Sequence, residues 1–125
     1  MHPVATAVLS LLALSIVSQV WGAEVLEPIR TVEVGPNRCL LVNGKPFIPL
    51  QSWAQPTSTF ARLRSLGFNT FAGNHGGQPP AREFCDGAAQ AGGYAMPNFD
   101  PAAKGHPALL GYLQPDEPDL GIEKG

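Results

Sequence analysis

The chain has 125 residues, with 8 Lys plus Arg against 10 Asp plus Glu and a formal net charge of −2. That length allows one modest domain, and with no basic stripe or arginine cluster the composition argues against a nucleic-acid partner. Glycine (14) and proline (13) are abundant enough to expect short elements joined by many loops.

Val4 to Val20 is almost wholly apolar or small and carries no charge; Trp21, Gly22 and Ala23 follow, before polar Glu24. Small residues closing such a run mark a secretory signal peptide. Residues 1–22 are expected to be removed by cleavage after Gly22, with Ala23 the alternative, and the product to be secreted or periplasmic. The run is just long enough to span a bilayer, so membrane contact is expected only if it stays uncleaved. An exported chain permits a disulfide between Cys39 and Cys85. Two separate buried thiols are equally open, and the spacing fits no zinc pattern.

Residues 23–46 read as an extended lead-in and a β-hairpin. Thr31 to Val34 have strand propensity, Gly35-Pro36-Asn37 is a turn, and Arg38 to Val42 is a strand. Asn43-Gly44 then supplies two residues that tolerate the positive φ of a type I′ turn. Phe47 to Trp53 is expected to continue from the hairpin as the first interior strand, with Pro49 marking an edge or a bulge. Thr57, Ser58 and Thr59 offer helix N-caps, and Phe60, Leu63 and Leu66 fall on one helical stripe that Gly67 ends. Phe68 to Ala72 is a second strand, and Gly73 to Gly77 a polar loop. Pro79-Pro80 opens a second helix with Phe84, Ala88 and Ala91 on one face. Gly92-Gly93 ends it, and Tyr94 to Pro97 is a third strand. The link that follows leaves room for a single helical turn around Pro101 to Lys104. A fourth strand is expected from about Leu109 to Leu113.

Strands alternating with amphipathic helices predict parallel crossover units and an α/β fold. In such folds, sites form beyond the carboxyl ends of the strands. Gln51, Trp53, Asn74, His75, Asn98 and Asp100 fall there. Trp53 is a candidate for stacking on a sugar ring, and Asn74, His75 and Asn98 for hydrogen bonds to hydroxyls. After the fourth strand comes Gln114-Pro115-Asp116-Glu117-Pro118-Asp119, with three acids in four positions. His106, before Pro107, is expected to support that strand. A metal held by His75, Asp100, Asp116 and Glu117 is disfavoured, since no ligand pair has helical spacing. No Gly-x-Ser-x-Gly elbow and no phosphate-cradling glycine loop occur, and no cofactor is expected.

Three phrases then act together. Cys39-Leu-Leu-Val-Asn-Gly-Lys-Pro-Phe-Ile-Pro49, Leu66-Gly-Phe-Asn-Thr-Phe71 and His106-Pro-Ala-Leu-Leu-Gly-Tyr-Leu-Gln-Pro-Asp-Glu-Pro-Asp119 resemble the opening half of a TIM-barrel retaining glycoside hydrolase. The similar enzymes belong to the clan of β-galactosidase-like and cellulase-like barrels. The resemblance covers residues 38–119. It implies a carbohydrate substrate and a partial (β/α)8 barrel over residues 47–125, made of the first four β/α units after the hairpin. By the same resemblance Glu117 is the general acid/base that ends the fourth strand. Asp116 stands where the commoner motif has a sugar-contacting asparagine, and its charge is expected to raise the pKa of one carboxyl of the pair. Retaining hydrolysis needs a second carboxyl group roughly 5 Å away, which in the resembling enzymes comes from the seventh strand. Asp119 is a poor substitute, being close to Glu117 across Pro118. A full barrel takes roughly 250 residues, so the chain is expected to be a fragment, inactive alone, or a half-barrel needing a partner chain to complete it. The alternative is a non-catalytic carbohydrate-binding or interaction protein derived from the same fold.

Overall fold

The computed structural model describes residues 24–74 and 76–115. Two small sheets organise them. The first is antiparallel, in the order β1 (Val32–Val34), β2 (Leu40–Val42), β3 (Lys45–Pro46). Its turn has the expected chemistry, with φ +51° at Asn43 and +76° at Gly44. Asn43 also reaches back to the lead-in. Its Oδ1 accepts from Arg30 N at 2.7 Å and Thr31 N at 3.2 Å, and its Nδ2 donates to Pro28 O at 3.0 Å.

The second sheet is parallel, in the order β4 (Gln51–Trp53), β5 (Thr70–Ala72), β6 (Tyr94–Met96). Ser52, Phe71 and Ala95 are in register across it and face the helices. Helix α1 (Phe60–Ser65) joins β4 to β5, and α2 (Ala81–Gln90) joins β5 to β6. The core between helices and sheet contains Phe60, Phe71, Phe84, Cys85, Ala88 and Ala95, each no more than 1% exposed. Phe60 stacks on Phe71 with centroids 4.0 Å apart and meets Phe84 edge-on at 5.2 Å, so three aromatic rings supply most of its apolar area. Gly93 lets β6 begin close beneath them: a Cβ there would come within 2.7 Å of Phe71 Cε2 and 3.1 Å of Asn69 O. The opposite face of β6 carries a second cluster, in which Tyr94, Val42 and Leu110 pack with Leu26, Ile29, Leu40, Phe47 and Met96.

The partial barrel expected for residues 47–125 is not what the chain forms, and this expectation is corrected. The described residues hold one antiparallel and one parallel sheet of three strands each, with two α-helices and no barrel. The reason is physical. Alternating strands and helices specify crossover units, but not how many strands pair or whether the sheet closes. Here the parallel ladder stops after β6. The expected fourth strand reduces to isolated bridges, Ala95 with Leu109 and Asn98 with Leu113. The expected first interior strand is also shorter. It does not run on from the hairpin: residues 47–50 lie between β3 and β4 in neither strand.

Smaller corrections follow the same logic. Leu66 is the C-cap of α1 and is 67% exposed, so it leaves the stripe that buries Phe60. The Thr57–Thr59 hydroxyls cap nothing; these residues form a 3-10 turn, and Thr59 Oγ1 donates to Pro56 O at 2.8 Å. The single turn anticipated near Pro101 is present as a 3-10 turn over Pro101–Ala103, capped by Asp100 Oδ1 accepting from Ala102 N at 2.9 Å. Cys39 and Cys85 are free thiols. Among the described residues no helix is long and apolar enough to cross a membrane; the apolar run from Val4 to Val20 lies outside them.

Candidate functional site

The candidate site is the carboxyl end of the parallel sheet. Gln51 and Trp53 alternate with Ser52 along β4 and so share the face away from the helices. Both are exposed, Trp53 to 52%. Gln55 Nε2 donates to Trp53 O at 3.1 Å, closing the turn after β4. Ser52 points the other way. It is 6% exposed, and its hydroxyl has no hydrogen-bond partner among the described residues.

Asn74 follows β5 and is half-buried. Its Oδ1 accepts from Asn98 N at 2.8 Å and its Nδ2 donates to Pro79 O at 3.1 Å. The amide expected to bind hydroxyls is therefore engaged in tying the β5 loop to the β6 loop and to the entry of α2. It positions Asn98, whose own side chain is exposed just past β6. Trp53, Asn74 and Asn98 thus gather at the carboxyl end of the sheet, whereas Gln51, expected there as well, opens β4 in register with Thr70 and Tyr94 at the amino end. His75, Asp116 and Glu117 lie outside the described residues. The chain leading to the two acids is described as far as Pro115, and it runs beside β6: Leu110 N donates to Ala95 O at 2.9 Å and Leu113 N to Pro97 O at 2.9 Å.

Sequence reading missed two aromatic residues here. Phe99 is 72% exposed and meets the Tyr112 ring edge-on, centroids 5.1 Å apart. The Tyr112 hydroxyl donates to Asp100 O at 3.0 Å. Burial, then the charges on Cys85 and Asp100, push the Tyr112 phenol above its ordinary range, so it stays a donor at neutral pH. A phenylalanine between Asn98 and Asp100, directly after a strand end, was the available signal.

His106 has a supporting role. Its Nδ1 accepts from Ala108 N at 3.0 Å, which leaves the proton on Nε2 to face Asp86 Oδ1 at 3.0 Å. The ring thereby fastens the segment running beside β6 to α2. Cys85 is fully buried, and burial followed by the Asp86 charge pushes its thiol up to about 12, so it is no nucleophile at neutral pH. Among the described residues no group of three or more His, Cys, Asp or Glu could hold a metal ion. A cavity of about 250 Å³ lies at the other end of the sheet, between the lead-in, the hairpin and Tyr94. Its polar lining is already paired, Lys45 Nζ with Glu27 Oε1 at 3.5 Å and the Tyr94 hydroxyl with Glu27 O at 2.7 Å.

No protein-family model matches this chain. No curated protein matches it either.

Proposed function

We propose that the chain is an exported, carbohydrate-active protein that binds saccharide at the carboxyl end of its parallel sheet. Glu117 is the general acid/base of a retaining attack on an O-glycosidic bond. One observation carries this reading: the segment up to Pro115, which precedes Asp116 and Glu117 in the sequence, runs beside β6 to the end where Trp53 and Asn98 are exposed, with Leu113 N bound to Pro97 O at 2.9 Å. Carboxylate, exposed indole and exposed amide are the groups such chemistry uses: a proton donor for the leaving oxygen, a flat apolar face for the sugar ring, and hydrogen bonds for its hydroxyls.

The attacking carboxylate of the retaining mechanism is not identified in this sequence. Asp100, the described acid nearest the site in sequence, spends Oδ1 on capping a 3-10 turn. On this reading the chain alone binds saccharide without cleaving it, and Glu117 acts as acid/base only where a second carboxylate is supplied. A second reading, a non-catalytic carbohydrate-binding protein, draws on Asp116, whose charge stands where the resembling enzymes place a neutral sugar-contacting amide.

The test is to incubate the purified chain with a panel of aryl glycosides and, separately, to titrate it with oligosaccharides. Saccharide binding without turnover is expected. Turnover that disappears in Glu117→Gln would show that the chain holds its own second carboxylate. Absence of binding to every saccharide would sink the carbohydrate reading altogether. The two readings separate on affinity for a cationic iminosugar that mimics the oxocarbenium ion. A catalytic Glu117 favours it strongly over the neutral sugar and loses that preference in Glu117→Gln; a non-catalytic site shows no such preference.

A further inference from the structure

Phe99 is the most exposed aromatic side chain among the described residues, at 72%, yet everything around it is fixed. Before it, Pro97 is fully buried, Pro97 O accepts from Leu113 N, and Asn98 N is held by Asn74 Oδ1 at 2.8 Å. After it, Asp100 caps a 3-10 turn through its side chain and accepts the Tyr112 hydroxyl at its carbonyl. Tyr112 packs against one edge of the ring at an interplanar angle of 66°. A ring presented to solvent by such a braced backbone stays there because its neighbours hold it, at the cost of leaving apolar surface wet.

The surroundings say what the ring fits. Asn98 exposes its amide at this end of the sheet, directly before the ring, and Asp100 adjoins the ring on the other side. Trp53 stands on β4, two strand spacings or about 10 Å from β6. A wholly apolar partner would strip water from the Asn98 amide and the Asp100 carboxylate without replacing their hydrogen bonds, which costs more than the ring gains. A pyranose satisfies both: one face presents C–H groups to an aromatic ring, and its equatorial hydroxyls reach the polar groups of Asn98 and Asp100 at the rim.

We propose that Phe99 is a stacking platform for a pyranose ring of a neutral oligosaccharide, braced by Tyr112, with Trp53 on the far strand of the same sheet end as a second aromatic surface. This rests on the carbohydrate reading above and adds to it the residue that grips the sugar.

The experiment uses the 125-residue chain and four neutral hexasaccharides: cellohexaose, laminarihexaose, mannohexaose and chitohexaose. Binding is measured by calorimetry and by saturation-transfer NMR, with Phe99→Ala, Phe99→Leu and Phe99→Trp beside the parent. At least one hexasaccharide is expected to bind. Phe99→Ala should weaken it by about tenfold to a hundredfold, the loss of one buried aromatic side chain. Phe99→Leu should weaken it as well, and Phe99→Trp should restore it, because an aromatic face and not apolar bulk is required. Unchanged binding in Phe99→Ala or Phe99→Leu overturns the platform and leaves the carbohydrate reading standing. No binding by the parent to any of the four overturns both. Should Phe99→Ala fail to fold, the contrast between leucine and tryptophan decides alone.

Discussion

At the scale of single residues, the site end of the sheet divides into groups that hold the structure and groups that face outward. Asn74 belongs to the first kind. Asn74→Ala removes the acceptor for Asn98 N and the donor to Pro79 O and leaves partly buried backbone groups unpaired. We expect a loss of about 1–3 kcal/mol in chemical denaturation; a variant as stable as the parent would show that the tie is dispensable. Ser52 is the opposite case. Its hydroxyl is buried without a partner among the described residues, so Ser52→Ala removes a desolvated polar group and changes little volume. Stability should stay level or rise by up to about 1 kcal/mol; a clear loss would reveal an ordered water bound to the hydroxyl. Neither role is legible in the sequence. Asn74 and Ser52 both read as polar residues at strand ends, and only the third dimension shows that one is spent on backbone and the other faces the helices.

At the scale of elements, packing between helices and sheet sets stability. Phe84 on α2 fills the space beneath Phe60 on α1. Phe84→Ala should cost about 3–5 kcal/mol, against little change for a substitution at exposed Phe99, both read from denaturant midpoints. A loss below about 1 kcal/mol at Phe84 would mean that the helices do not pack on the sheet as described. These elements were largely legible. Asn43-Gly44 announced its hairpin through backbone chemistry, Phe84, Ala88 and Ala91 marked a buried helical face, and Gly67 and Gly92 ended their helices with φ of +100° and +75°. The lengths and partners of the strands were not. Phe47 to Trp53 reads as one apolar run, but Pro49 lacks an N–H, and the entry to β4 is held by the Asn69 side chain, whose Oδ1 accepts from Leu50 N at 2.8 Å and whose Nδ2 donates to Ile48 O at 2.9 Å. A side chain substituting for a ladder leaves no periodic trace.

At the scale of the whole molecule, a helix, a strand and the segment beside it each carry a group that resists losing its proton. Burial, with the Asp86 charge behind it, lifts the Cys85 thiol from 9.0 to about 12. Burial, then the Glu27 charge, raises Tyr94, and Tyr112 is raised as well. Below pH 9 both folded and unfolded chains keep these protons. Above it the unfolded chain releases them first, so stability falls as pH rises. The melting temperature should be insensitive to these groups up to about pH 9 and decline from there towards pH 12, less steeply in Cys85→Ala. A flat profile to pH 11 would contradict the burial of Cys85 and Tyr94. What the sequence conveyed at this scale was the α/β alternation; the number of paired strands was set by the 108–113 segment, where Gly111 and the flanking prolines keep a continuous ladder from forming.

The hydrogen bond from the Tyr94 hydroxyl to Glu27 O at 2.7 Å joins residues 67 positions apart. Arg64 ties the lead-in too, donating to Glu24 O and to Gly92 O. Chain leaving a ribosome presents the lead-in long before β6 exists to receive it. The α1 and α2 crossover units close shorter loops and are expected to assemble first, with the lead-in docking last and limiting the rate. A nascent chain stalled before Tyr94 emerges would then hold its oldest residues longest in reach of chaperones and proteases.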